Sequence, residues 1–373
     1  MALSAVCAVV SFAVFAAISF IQFRHFWLAV VVALAPWPGA LAARFAVQLL
    51  GPHIFATSNA VLTTAFGLIA AQFVAAAFVL CIAEGEPKTE SRRIAIGQSA
   101  PAIAAAFLSA LGIAIARFLP DAPRQAMALC IELTLSMVSA VVILLLALRL
   151  LRWDENVIAR VNRAREWRER MLERIAVAAF PRWGFTIFGI ALVFAAMAFF
   201  GARATVVLYP HWVFFVIVMV FSLIAAAFVT RDWRRSLAAS LTFAWIGLIG
   251  LWANNRLVLQ GASLTDYSLT LALCLMPLLL MAAQHRRFAV AAEAADGAGA
   301  HAMVTIGSAL VFGTLGLSIY ALIWAAAGIL PVSAVIMLAS ACAGTLLLQP
   351  ATSAVLELLI RRRVPLDARY KLS

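Results

Sequence analysis

Apolar positions along the chain gather into long runs separated by short charged clusters. The runs are Leu3–Ile21, Trp27–Gln48, Asn59–Ala83, Ile96–Leu119, Gln125–Leu148, Phe185–Gly201, Val207–Thr230, Leu237–Ala253, Tyr267–Ala283, Ala302–Ala327 and Val332–Leu359. Each is near the roughly 20 residues that a helix needs to cross the hydrocarbon of a bilayer. The pattern predicts an all-α polytopic membrane protein of about 11 transmembrane helices. The first run lacks a basic region before it and continues well past the apolar core of a secretory signal, so it is expected to be a spanning helix.

Charge sorts across these runs. With alternate loops assigned to opposite sides, one side receives Arg24, Lys88, Arg92, Arg93, the arginines from Arg149 to Arg182, Arg231, Arg234, Arg235, Arg286, Arg287, Arg361, Arg362, Arg363, Arg369 and Lys371. The other receives Arg44, Arg117, Arg124, Arg203 and Arg256. Basic residues concentrate on the cytoplasmic side of membrane proteins. The expected orientation is therefore N-out/C-in, and the loops outside are all too short to fold as domains.

One segment does not read as a span. Across Asp154–Ala179, Val157, Val161, Ala164, Trp167, Met171, Ile175 and Ala178 recur at helical spacing, while Arg160, Arg163, Arg165, Arg168, Arg170 and Arg174 occupy the polar face. This predicts an amphipathic helix on the cytoplasmic interface, against anionic headgroups. Two compatible roles follow: a connector between two bundles, and a partner-docking or lipid-sensing helix.

The chain also repeats itself at an offset near 204 residues. Leu3–Ile21 maps onto Val207–Thr230, Asn59–Ala83 onto Tyr267–Ala283, and Leu111-Gly112-Ile113-Ala114-Ile115 onto Leu315-Gly316-Leu317-Ser318-Ile319. The expected organisation is a first five-helix repeat (1–152), a linker helix (153–183), an extra span (184–203), a second five-helix repeat (204–363) and a cytoplasmic tail (364–373). Six spans separate corresponding points, so the two pseudo-repeats (5 + 1 + 5) are parallel.

Composition adds exclusions. At 65% hydrophobic and 12% charged residues, with mean hydropathy +1.04, the chain is unlike a soluble enzyme, a disordered protein or a disulfide scaffold. The net charge of +12 sits beside apolar runs, as an orientation signal does, so no nucleic-acid partner is expected. Cys7, Cys81, Cys130, Cys274 and Cys342 all fall inside apolar runs without metal-ligand spacing. His53, His211 and His301 stand singly. No metal, cofactor or catalytic constellation is expected, and soluble enzyme chemistry is not supported.

Two stretches carry a resemblance. The loop Glu84-Gly85-Glu86-Pro87-Lys88-Thr89-Glu90-Ser91-Arg92-Arg93 with the Ala-rich helix after it, and Gln284-His285-Arg286-Arg287 through Ile319 as its second copy, resemble the loop joining the fourth and fifth helices in each half of the resistance–nodulation–division (RND) superfamily. Within it they are most similar to the mycobacterial-type lipid exporters (MMPL). The Arg-rich helix before Pro181-Arg182-Trp183-Gly184 looks like that family's interhalf linker. The resemblance implies transport or flipping of lipids or other hydrophobic molecules in a bacterial inner membrane. It also marks departures: the family's first helix and both periplasmic porter domains are absent. A partner protein that supplies periplasmic domains is therefore implied. Ala71, in Gly67-Leu68-Ile69-Ala70-Ala71-Gln72, stands where the family carries a proton-relaying aspartate. That departure leaves a second reading open, a non-transporting scaffold or sensor in an envelope assembly.

Ionisable and polar groups inside a span are functional candidates. Glu132 is the one acid well inside a run, with Ser136 and Ser139 on its face at i+4 and i+7. It reads either as a proton, cation or headgroup site, or as a hydrogen-bonded acid paired with Arg124. Thr63 and Gln72 could line a polar path beside Ala71. The plainer reading of these, and of Asn59, Thr64, Gln284 and Gln349, is interhelical glue. Ala35-Pro36-Trp37-Pro38-Gly39 predicts a kink or break in the second helix, because proline removes a backbone bond.

Overall fold

The structure, a computed structural model, describes residues 2–51, 57–83, 85–118, 123–164, 298–344 and 346, with scattered positions between 166 and 224. The expected spans Phe185–Gly201, Val207–Thr230, Leu237–Ala253 and Tyr267–Ala283 lie essentially outside these residues. The described residues are helical and contain no strand. In chain order the helices are α1 (Ala2–Phe23), α2 (Phe26–Leu34), α3 (Trp37–Leu50), α4 (Thr57–Ala83), α5 (Lys88–Phe118) and α6 (Pro123–Leu150). A linker helix α7 covers residues 155–164, and α8 (Ala298–Ala326) and α9 (Val332–Ala343) follow.

Four segments among the described residues are long and apolar enough to cross a membrane: Leu3–Phe23, Phe26–Leu49, Asn59–Ala83 and Pro123–Leu150. They coincide with four expected runs. The run Ile96–Leu119 lies in α5, Ala302–Ala327 in α8, and Val332–Leu359 begins as α9. The second run is one span made of two helices, since the chain turns at Ala35-Pro36 between α2 and α3.

The bundle is organised round α4. Every residue of α4 from 61 to 75 is buried, because α1, α2, α3, α5, α6 and α8 all pack against it. Its sequence permits this. Thr63, Thr64, Ala65, Gly67, Ala70, Ala71 and Ala75 are small, and small residues let neighbouring backbones approach closely. The surrounding helices are one-sided. On α6, Leu129, Leu133, Ser136, Ala140, Leu144 and Leu148 form a buried stripe, while Met127, Val138, Val142, Leu146 and Leu150 are exposed on the other side. On α1, Val6, Val9 and Val10 face outward and Phe15, Ile18 and Ser19 face inward. Exposed apolar faces of this kind suit lipid.

Connections follow from local chemistry. Gly85 ends the α4 turn at φ 88°, and Glu86 N–H reaches back to Cys81 O at 3.1 Å. Gly328, at φ 69°, closes α8 in the same way, with Ile329 N–H on Trp324 O at 3.1 Å. Both positions need the left-handed backbone that glycine adopts freely.

The linker differs from the expectation in one respect. Val161 is buried and Val157 packs on the bundle core, so the described part of its apolar stripe faces protein rather than headgroups. Arg160 and Arg163 remain exposed. The bundle end offers α7 an apolar surface nearer than the lipid, and this arrangement suits a connector.

Candidate functional site

Three side chains on one face of α6 meet the rest of the bundle in different ways. Glu132, Ser136 and Ser139 share the stripe that the spacing anticipated. The Ser136 hydroxyl donates to Thr63 O on α4 at 3.0 Å. There the helices nearly touch: a Cβ built on Gly67 would lie 2.9 Å from Ser136 Oγ and 2.7 Å from the Pro36 ring. Thr63 and Thr64 both turn their hydroxyls onto Ala60 O of their own helix, at 3.1 and 2.7 Å. Thr63 thus meets α6 through its carbonyl and not its hydroxyl.

Ser139 bridges the break in the second span. Its hydroxyl donates to Ala35 O at 2.7 Å and accepts from Gly39 N–H at 3.1 Å. Ala35 O and Gly39 N–H are the two groups an unbroken helix would join directly, and Ser139 stands between them. Insertion of a side chain into the i→i−4 ladder is a recognised cause of helix bending. Glycine at 39 is required by the closeness of α6, since a Cβ there would lie 2.1 Å from Leu135 O.

Glu132 lies one turn before Ser136, roughly 14 Å along α6 from Pro123 at 1.5 Å per residue. It is 3% exposed, and its Oε2 has no hydrogen-bond partner among the described residues. Arg124, roughly 12 Å earlier on the same helix, is exposed and forms no ion pair with Glu132 among the described residues. Buried polar atoms are normally partnered, so this carboxyl stands out as a group available to a ligand or a proton.

Gln72 is not part of this cluster. It lies more than two turns further along α4, where its Nε2 donates to Gln22 Oε1 on α1. Gln72 Oε1 faces Gly313 of α8, whose built Cβ would lie 3.7 Å away. Ser11 and Ser19 of α1 are also buried, with no partner for their hydroxyls among the described residues. A second polar seam therefore runs between α1, α4 and α8. Ala71 is wholly buried beside it, and the described part of α4 carries no acidic residue. Of the four candidates, Ser136 and Thr63 meet, Glu132 lies one turn before Ser136 on the same helix, and Gln72 stands apart.

Sequence reading missed Gln22, which lies one residue past the run Leu3–Ile21, and it missed the end of the bundle where α1 meets α2. His25 caps α2 there: its Nδ1 accepts from Leu28 N–H at 3.2 Å, which leaves Nε2–H to reach Arg152 O at 3.3 Å. Its ring lies 4.8 Å from Trp153, which packs edge-on against Phe78 at 5.4 Å. At the same end Lys88 Nζ donates to Arg149 O at 2.8 Å and to Leu151 O, a cation on the carbonyl end of α6. Partial burial, with Arg92 nearby, holds the Lys88 amine below its ordinary pKa. These contacts gather Arg24, Lys88, Arg149 and Arg152 at one end, while Arg117 and Arg124 lie at the other ends of α5 and α6.

Among the described residues, the helices form a membrane-type bundle around α4, with two buried polar seams. No protein-family profile matches the chain, and no curated protein matches it in sequence. Among solved structures it is similar to a crystal structure of SecDF in a super-membrane-facing form, with a TM-score of 0.61 and 14% identity. The likeness covers 96% of this chain and 62% of that one, so the chain spans less than two thirds of the SecDF chain's length. At that identity the likeness concerns the fold alone: the helical arrangement resembles that of SecDF.

Proposed function

We propose that the protein is the membrane part of an RND-like transport system in a bacterial inner membrane, moving or flipping lipids or other hydrophobic molecules. The observation that carries this reading is the fold likeness to SecDF over nearly the whole chain. The finer features belong to the same proposal: about eleven spans in two parallel repeats, N-out/C-in, an MMPL-type relationship, and a partner that supplies periplasmic domains. Glu132, Ser136 and Thr63 are proposed to face the ion or substrate path, with Gln72 on a separate seam. A second reading, a scaffold or sensor descended from such a transporter, is favoured by one observation. The central helix offers Ala71 and Gln72 where a proton-coupled member would carry an acid, so coupling through α4 has no titrating group there.

Reconstitution separates the two. In proteoliposomes, fluorescent lipid should exchange between leaflets faster than in empty vesicles, and the absence of movement with and without a pH gradient would sink the transport reading. If Glu132 couples protons, Glu132→Gln should abolish the gradient dependence and leave gradient-free exchange intact. An unchanged response to the gradient removes Glu132 from the path.

A further inference from the structure

The α1–α2 turn holds a feature that the transport reading does not use. Arg24 has φ 52°, the only positive value at a non-glycine among the described residues. L-residues other than glycine and asparagine rarely hold that conformation, and such strain persists where the surroundings over-determine it, often at functional positions. Here they do. Arg24 N–H donates to Phe20 O at 2.8 Å. The next residue, His25, is fixed on three sides by Leu28 N–H, Arg152 O and the Trp153 ring.

The consequence is a basic pair at the end of the bundle. Arg24 and Arg152 are both exposed, joined through His25, and neither forms an ion pair among the described residues. Lys88, their basic neighbour, is engaged with the α6 carbonyls. The acids close by in sequence, Asp154 and Glu155, are exposed and likewise form no ion pair among the described residues. Beside the pair stands an aromatic cluster: Phe20, Phe26 and Trp27 are 39%, 60% and 63% exposed. Their rings meet edge-to-face at 6.5 Å (Phe20–Phe26) and 5.4 Å (Phe26–Trp27). The cluster sits where the spans Leu3–Phe23 and Phe26–Leu49 end, and aromatic rings at the ends of spans occupy the headgroup level.

We infer that this turn is a binding site for an anionic phospholipid. The guanidinium groups of Arg24 and Arg152 hold the phosphate, for which their planar forks are suited. Phe20, Phe26 and Trp27 form the wall along which the upper acyl chains lie. A soluble phosphate would have no use for that wall, and a zwitterionic lipid would lack the net charge that the two arginines favour.

The test is native mass spectrometry of the full chain, released from nanodiscs of phosphatidylcholine and phosphatidylglycerol in equal parts. The wild-type chain should retain phosphatidylglycerol in preference. Arg24→Gly and Arg152→Gln should each lower that retention about fivefold, the effect of one basic residue near an anionic membrane surface. Arg24→Gly is informative because glycine accepts the left-handed backbone, so the fold survives and thermal stability in pure phosphatidylcholine should hold or rise. Arg163→Gln, at an exposed arginine on α7, should change little. Equal losses in all three variants would show only a diffuse basic rim and overturn the site. Retention unchanged in Arg24→Gly and Arg152→Gln, or equal retention of both lipids by the wild type, would overturn it as well.

Discussion

Single atoms decide where these helices cross. At Gly39 the backbone of α6 leaves no room for a methyl group, and at Gly67 the Pro36 ring and Ser136 Oγ leave none. Gly39→Ala would drive a Cβ against Leu135 O, a backbone atom that cannot swing aside, so α3 and α6 must separate. Overpacking of this kind costs about 1–3 kcal/mol, and a thermal-unfolding assay in detergent should record the loss. The residues at these crossings were only partly legible in the sequence. The spacing of Glu132, Ser136 and Ser139 placed them on one face, and the structure has them there. What that face meets depends on α2, α3 and α4, and no pattern within α6 carries that information. Thr63 shows the limit well: its type suggested a hydroxyl in a path, whereas the hydroxyl closes on Ala60 and the carbonyl makes the contact. Gln22 escaped notice because a lone glutamine at the end of an apolar run looks like the start of a loop. Its meaning comes from Gln72, 50 positions away.

Among elements, the broken second span is the most informative. Two prolines and a glycine announced the break, and the turn at Ala35-Pro36 lies where they predicted it. The sequence was silent on what holds the broken ends. Ser139 does so from another helix, by accepting from Gly39 N–H and donating to Ala35 O. Ser139→Ala removes both bonds and leaves two buried backbone groups to find each other or stay unpaired. The expected cost is about 1–3 kcal/mol, measured by unfolding in mixed micelles. The amphipathic linker was equally clear as a helix, yet its environment was not. Apolar spacing says that one face is covered, and it does not distinguish lipid from protein as the cover. Val161, buried on the bundle, settles this for the described turns of α7.

For the whole molecule, the charge asymmetry yields a prediction about sidedness. A cysteine placed at Arg124 in a cysteine-free background should react with a membrane-impermeant thiol reagent on intact cells. One placed at Arg92 should react only after the membrane is opened. The reverse result would invert the orientation. The run pattern conveyed the helical class and the described spans, because hydrophobic length is a property of each helix alone. The hub role of α4 was not written in any run, since it arises from which helices gather round it. That gathering has a consequence for how the protein is made. α8 lies against both α1 and α4, and it leaves the ribosome roughly 200 residues after α4. At about 5–20 residues per second, the interval is roughly 10–40 s. For that time the Gln22–Gln72 seam lacks its cover from α8, in a membrane that gives it nothing to bond with. A chain cut within the linker and expressed as two pieces should therefore yield a stable first piece only when the second is made in the same cell. Expressed alone, the first piece should be cleared by membrane proteases, and pulse-chase labelling would record its short life.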